Sequence, residues 1–298
     1  MKTVQEILTS GTAYLETRGI EGARHSMQSL LVHVLGCNKT WLYLHFDDPV
    51  PEDKLVPLRA LLKERGKGTP LQHLLGSTEF YRREFRTDAR ALIPRPETEE
   101  LVEAALQRAE KKEGMRVLDM GCGSGIIGIT LALELAAQKP EVVMADVSEA
   151  ALSLTLENAT ALGARVKTYR SNLFSAWDAP AEGAVQPPDA FDLVLANLPY
   201  VPDGEEVSVE VQHDPALALY GGADGLDVVR RFLKDALPHL NPHALVMLEV
   251  GHDQGETTRA LMQELGYTDT CVLTDMSGKP RFPMGYAPQP NEEEAADV

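Results

Sequence analysis

The chain has 298 residues, 45 of them acidic against 28 basic, for a formal net charge of −17. That length fits one large domain or two smaller ones, and a 44% hydrophobic content is enough for a substantial core. The negative field disfavours a phosphate-rich partner, and the longest apolar runs fall far short of the ~20 residues of a membrane span.

The stretch "MKTVQEILTSGTAYLE" carries polar and charged residues throughout and has no apolar signal core, so a cytoplasmic location is expected. A soluble monomer is expected, acting on a protein or small molecule without direct nucleic-acid or membrane contact. A local basic patch stays open around "YRREFR" (81–86). Three cysteines, Cys37, Cys122 and Cys271, form no CxxC pair; they are read as buried, inert thiols, and no metal site is expected.

Residues 1–72 are read as a helical domain of four or five helices. Met27, Leu30, Leu31, Val34 and Leu35 recur with the spacing of one helix face, and Gly36 offers a stop. Leu55, Leu58, Leu61 and Leu62 predict a helix over about 55–65 that ends at Gly66, with Pro57 tolerable only in its first turn. Residues 73–96 turn to short aromatic and β-branched runs and close on Pro94-Arg95-Pro96, which predicts a hairpin or extended linker.

From 97 to 287 strands and helices alternate. Strands are predicted over 115–120, 141–147, 165–172, 191–198 and 244–250. Helices are predicted over 125–138, 148–163 with Ser148 as its cap, most of 224–240, and 253–266. Two stretches near 268–276 and 281–287 should pair antiparallel. This alternation predicts an α/β fold with a doubly wound, mainly parallel sheet. "DAPAEGAVQPPDA" (178–190) reads as a surface loop and 288–298 as a disordered acidic tail.

"VLDMGCGSGIIG" runs from a predicted strand into a helix. Gly121, Gly123 and Gly125 allow a tight turn and close approach of a ligand, and the helix beyond presents free N–H groups. Asp146 ends the next strand, where a carboxylate can accept from both hydroxyls of a ribose. Gly123, Gly125 and Gly128 also satisfy GxGxxG, so a nicotinamide dinucleotide fits this loop nearly as well. Asp119 ahead of the loop makes the stretch similar to the S-adenosylmethionine site of class I methyltransferases.

The fourth strand of this alternation ends in Asn197-Leu198-Pro199-Tyr200. Ligands of open α/β sheets bind at the carboxyl ends of strands, which places this turn beside the cofactor. An amide nitrogen is a poor nucleophile because its lone pair is delocalised. Two acceptors on its hydrogens, the Asn197 side-chain oxygen and the Leu198 carbonyl, would aim that lone pair at a methyl donor. Pro199 biases Leu198 to extended backbone and so aims its carbonyl. Tyr200 offers a ring face to a planar group. Catalysis would then be alignment, with Asn197 and Tyr200 as the catalytic pair and no covalent enzyme intermediate.

Together with "GTPLQHLLGSTEF" (68–80), "LIPRPETEELVE" (92–103), "ADVSEAAL" (145–152), "SNLFSAW" (171–177), "GGADGLDVVRRFL" (221–233), "LEVGHDQGE" (248–256) and "DMSGKPR" (275–281), these motifs resemble the protein-(glutamine-N5) methyltransferases of peptide chain release factors, the HemK/PrmC family. The resemblance covers about residues 1–285. It implies a class I S-adenosylmethionine-dependent methyltransferase, with a seven-stranded sheet and a small N-terminal helical domain that helps dock a class I release factor. The glutamine of that factor's Gly-Gly-Gln loop would be the target. Gly121, Cys122, Gly123, Ser124 and Gly125 would line S-adenosylmethionine. Asp146 would hold its ribose, and Asn172 and Leu173 would lie near its adenine. Asn197, Leu198, Pro199 and Tyr200 would hold the glutamine, and Phe80 and Arg95 would shape the pocket. Where the family usually has a second Pro, this chain has Leu198, and Leu173 replaces an aromatic. The same motif leaves two other substrates open: the glutamine of ribosomal protein L3, and an adenine N6 in nucleic acid.

Overall fold

A computed structural model describes residues 2–178 and 187–289. Most of the loop expected over 178–190, and nearly all of the tail expected over 288–298, lie outside the described residues. The chain forms two compact units. One comprises Met1–Thr78 with Val207–His213, and the other Glu79–Glu206 with the residues from Asp214 on.

The first unit is helical: α1 (Val4–Thr17), α2 (Ala23–Leu35), α3 (Lys39–Leu44), α4 (Glu52–Arg65) and α5 (Leu71–Leu75). A capping box starts α1, with Thr3 Oγ1 accepting from Glu6 N and Glu6 Oε2 accepting from Thr3 N. Gly36 ends α2 in the left-handed region, and Leu15, Met27, Leu30, Leu31 and Leu42 are fully buried at its centre. Helix α4 begins at Glu52, three residues earlier than the leucine spacing predicts, so Pro57 stands in its second turn. Glu52 and Asp53 in the first turn face the positive end of the helix dipole, which favours that earlier start. Segment Val207–His213 joins this unit through a buried arginine. Arg65 Nη2 pairs with Glu210 Oε1 at 2.6 Å, while Nε donates to Ser26 Oγ and Nη1 to the Thr69 carbonyl.

The second unit begins within a hairpin, β1 (Ser77–Phe80) and β2 (Arg83–Arg86), turned through Tyr81 and Arg82, both at positive φ. Its other elements are α6 (Pro96–Arg108), β3 (Arg116–Met120), α7 (Ile126–Glu134), β4 (Glu141–Asp146), α8 (Glu149–Leu162), β5 (Lys167–Arg170), α9 (Ser175–Asp178), β6 (Phe191–Asn197), α10 (Asp227–Ala236), β7 (Leu240–Glu249), α11 (Gly255–Glu264), β8 (Thr268–Thr274) and β9 (Pro280–Tyr286). The seven-stranded sheet has the order β5-β4-β3-β6-β7-β9-β8. Strands β3 to β7 run parallel, and β9 runs antiparallel to both β7 and β8.

Both faces of the central strands are buried. Val117, Met144, Leu193, Leu195 and Met247 belong to one core, and Leu118, Val143, Val194, Ala196 and Val246 to the other. That two-sided burial is why the strands read as unbroken apolar runs. Strand β5 is shorter than expected, because at the sheet's edge none of its residues is fully buried. The order reverses on either side of β3, and that reversal opens a crevice at the strand ends. Among the described residues no helix is long and apolar enough to cross a membrane.

Candidate functional site

Register brings the predicted motifs together. Met120 pairs with Ala145 on β4 and with Ala196 on β6, so the glycine loop, Asp146 and Asn197 all lie at the same end of the sheet. A cavity of about 220 Å³ opens there. It is lined by Gly121, Cys122, Gly123, Ser124, Asp146, Asn172, Leu173, Asn197, Leu198, Pro199 and Arg95, among others.

Gly125 does not line it; at φ +86° it is the residue that starts α7. Tyr200 is also outside the lining, half-buried, with its hydroxyl pushed up to about 12 by burial and by the nearby Glu249. Phe80 instead sits in the core against Phe85, so its expected place in the pocket is not what the fold provides.

The loop is tied down from three sides. Asp146 Oδ2 accepts from Gly123 N at 2.9 Å and its Oδ1 from Ser148 N at 2.8 Å, while burial raises its carboxyl. Ser148 caps α8, as its position in the sequence predicts. From α8, Thr155 Oγ1 donates to the Gly123 carbonyl and Asn158 Nδ2 to the Ser124 carbonyl. Gly121 holds φ +74°, and a Cβ there would come within 2.9 Å of the Leu198 side chain. The glycine loop and the turn after β6 therefore touch.

Asp119 is fully buried. Its Oδ2 accepts from Gly128 N at 2.8 Å, its Oδ1 has no hydrogen-bond partner, and burial pushes its carboxyl up to about 7. The same burial raises the Cys122 thiol, which suits a packing role rather than a nucleophile. Cys37 and Cys271 are only half-buried, less than expected. Leu173 is buried on the cavity wall at φ +53°, a conformation uncommon for a residue with a side chain.

Several residues of the site were not singled out by sequence. Thr98 lines the cavity, accepting from Asn197 Nδ2 at 3.3 Å and donating to Glu249 Oε2 at 2.7 Å. Burial pushes the Glu249 carboxyl up to about 7. Gln254 Nε2 donates to the Tyr200 carbonyl at 2.9 Å. Gly221 and Gly225 pack against the backbone of Pro199 and Tyr200 so closely that a Cβ would lie 2.3 and 2.1 Å from their carbonyl oxygens. The only hint was the clustering of "GGADG", since glycines this close together often admit another backbone. Arg95 Nη2 pairs with the buried Asp214, whose other oxygen accepts from Ile93 N.

The basic patch left open around 81–86 has two of its arginines paired with acids, Arg83 with Glu134 and Arg86 with Glu157. His239 and His243 stand four residues apart, but His239 faces Asp178 and His243 stacks on Tyr286. Among the described residues no cluster of three or more His, Cys, Asp or Glu side chains could hold a metal.

A parallel sheet with a single reversed strand inserted near one edge, and a glycine loop meeting a strand-end asparagine at its switch point, is the architecture of class I S-adenosylmethionine-dependent methyltransferases. Residues 6–76 match the family described as PrmC N-terminal domain, and residues 98–214 the Methyltransferase small domain. The release factor glutamine methyltransferase of Geobacter sulfurreducens is 36% identical over 279 residues, covering 93% of this chain and 94% of that protein. Its counterpart in Deinococcus radiodurans is 36% identical over 281 residues, covering 94% and 96%. That of Bacillus cereus is 34% identical over 286 residues, covering 94% and 97%. The chain belongs to the release factor glutamine methyltransferase family.

S-adenosylmethionine is the methyl donor, and the residues present fit it. The cavity joins an acid at the end of β4 to a glycine loop beside Asn197, and the buried, unpartnered Asp119 Oδ1 lies behind that loop.

Proposed function

We propose that the chain transfers a methyl group from S-adenosylmethionine to the side-chain amide nitrogen of the glutamine in the Gly-Gly-Gln motif of class I peptide chain release factors. One observation carries the reading: Asn197, Leu198 and Pro199 form the cavity wall next to the glycine loop, with the Asn197 NH2 already committed to Thr98. When bound, the cofactor supplies an electrophilic methyl on its sulfonium.

The chain's own residues bind and orient. Gly121, Cys122, Gly123 and Ser124 line the cofactor, Asp146 holds its ribose, and Leu173 with Asn172 borders its adenine. Gly125 contributes through the turn into α7. Asn197 Oδ1 and the Leu198 carbonyl each accept one hydrogen of the substrate amide, which aims its lone pair. Pro199 restricts Leu198, so Leu198 keeps the aimed carbonyl without being proline itself. Tyr200 supports this turn from behind and does not reach the cavity wall. The amide proton leaves to water after transfer.

The helical unit is read as the docking surface for the factor, consistent with exposed Trp41, Tyr43 and Leu44 on α3. The acidic charge supports a protein substrate over nucleic acid, and a cytoplasmic monomer is part of the same proposal. Peptide mapping of a purified release factor, after incubation with the protein and cofactor, should find one methyl group on the Gly-Gly-Gln glutamine. A methyl group found only on other residues would rule the reading out.

A further inference from the structure

A side-chain amide has two ends of nearly the same shape and opposite chemistry. If Asn197 turned its NH2 toward a substrate amide, donor would face donor and the lone pair would go unaimed. The useful orientation therefore has to be enforced from behind.

Asn197 ends β6 directly opposite Glu249, which ends β7. Thr98 stands in the first turn of α6, close to both. Thr98 and Glu249 are each 1% exposed. A threonine hydroxyl has one proton. In its ionised form Glu249 can only accept, so the 2.7 Å contact claims that proton; protonation of Glu249, whose carboxyl burial raises to about 7, would release the direction. Only a lone pair of Thr98 Oγ1 then faces Asn197, at 3.3 Å, and a lone pair accepts from NH2 but not from an amide oxygen. The chain from carboxylate to hydroxyl to amide thus has one direction, and it leaves Asn197 Oδ1 as the free acceptor.

We propose that Thr98 and Glu249 are positioning residues that fix the amide orientation of Asn197, and with it the direction in which the substrate amide is held. This rests on the reading of Asn197 as a substrate acceptor. A leucine or methionine would fill the place of Glu249 at lower desolvation cost. What the acid adds is hydrogen-bond direction. Glu249 does not line the cavity, so it acts through Thr98.

The test compares wild type with Thr98→Val, which keeps the shape and loses the hydroxyl, and Thr98→Ser, which keeps the hydroxyl. Three readouts are taken: kcat on a purified class I release factor, cofactor affinity by calorimetry, and the Asn197 side-chain NH2 resonance in 15N NMR without substrate. That resonance is identified by its loss in Asn197→Ala. Thr98→Val should lower kcat by about 10²-fold and shift the resonance, with cofactor affinity held within about threefold. Thr98→Ser should recover most of the rate and the wild-type resonance. Glu249→Gln, which can donate as well as accept, should lower kcat in the same direction and guards against misfolding of the valine variant.

A Thr98→Val enzyme within about threefold of wild type overturns the proposal. So does a serine variant as slow as the valine one, or a resonance that stays put. If wild type fails to methylate the release factor, the substrate reading fails, while the resonance still decides whether the relay exists.

Discussion

Gly225→Ala should damage turnover without touching a single residue of the cavity wall. Gly225 holds φ +77°, where a side chain costs about 1–2 kcal/mol. The larger effect is steric. A Cβ at this position would lie 2.1 Å from the Tyr200 carbonyl oxygen and 2.6 Å from Gln254 Nε2, whereas ordinary contact begins at 3.4 Å. The Tyr200 carbonyl or the Gly225 segment has to retreat by roughly 1 Å, a displacement that costs on the order of 10²-fold in rate when it reaches reacting groups. Backbone is the obstacle here, so no rotamer change relieves it. The retreat also breaks the 2.9 Å hydrogen bond from Gln254 to Tyr200. Single-turnover methyl transfer to a release factor, paired with calorimetric titration of cofactor, separates the two effects. The rate should fall by about 10²-fold while cofactor affinity stays within about threefold, because the glycine loop is anchored by α8 and Asp146 instead. A variant that turns over at the wild-type rate would show that the closeness of Gly225 to the Asn197–Tyr200 turn has no part in catalysis.

Three further outcomes are expected. Asn197→Ala should reduce turnover by at least about 10²-fold with cofactor affinity nearly intact, since it removes an orienting contact made in the transition state; near-normal turnover in a transfer assay would sink the role given to Asn197. Asp146→Ala should weaken cofactor binding by at least about 10²-fold, from two charge-assisted hydrogen bonds of about 1.5–3 kcal/mol each, and calorimetry showing unchanged affinity would remove it from the ribose site. Asp119, with its folded carboxyl raised to about 7 by burial, binds a proton in the folded protein that the unfolded chain has lost above about pH 4. Its contribution to stability is therefore full below that value and is lost as pH rises toward 7. Thermal melts of the cofactor-free protein should show Asp119→Asn gaining on wild type between pH 4 and 8, by up to about 4 kcal/mol; a pH-independent difference would contradict the shift.

Much of the methyltransferase unit is legible in sequence because its signals are local. An apolar run, a glycine cluster and a second apolar run ending in an acid specify strand, loop and the acid beside that loop without knowledge of the fold, and Asn197 stands out as a polar residue closing a buried strand. Thr98 and Glu249 were not legible in that way. They meet Asn197 only because α6 packs at the end of β6 and β7, and Glu249 in "LEVG" looks like any charge at a strand's end. An acid directly after "ALVML", a run too apolar to be exposed, was the available signal. The membership of Val207–His213 in the helical unit was equally hidden, since the Arg65–Glu210 pair joins residues 145 apart with no periodicity between them. Pro57 points to a later start for α4 than the one observed, because proline is disfavoured beyond a first turn, whereas Glu52 and Asp53 stabilise the earlier N-terminus.

The most direct test of the account is methyl transfer from labelled S-adenosylmethionine, offered in parallel to a class I release factor, to the same factor with its Gly-Gly-Gln glutamine replaced, to ribosomal protein L3 and to ribosomal RNA. Label on the unaltered release factor alone is the predicted result. Label on the glutamine-replaced factor, on L3 or on RNA, with none on the unaltered factor beyond that of its replaced form, would contradict it.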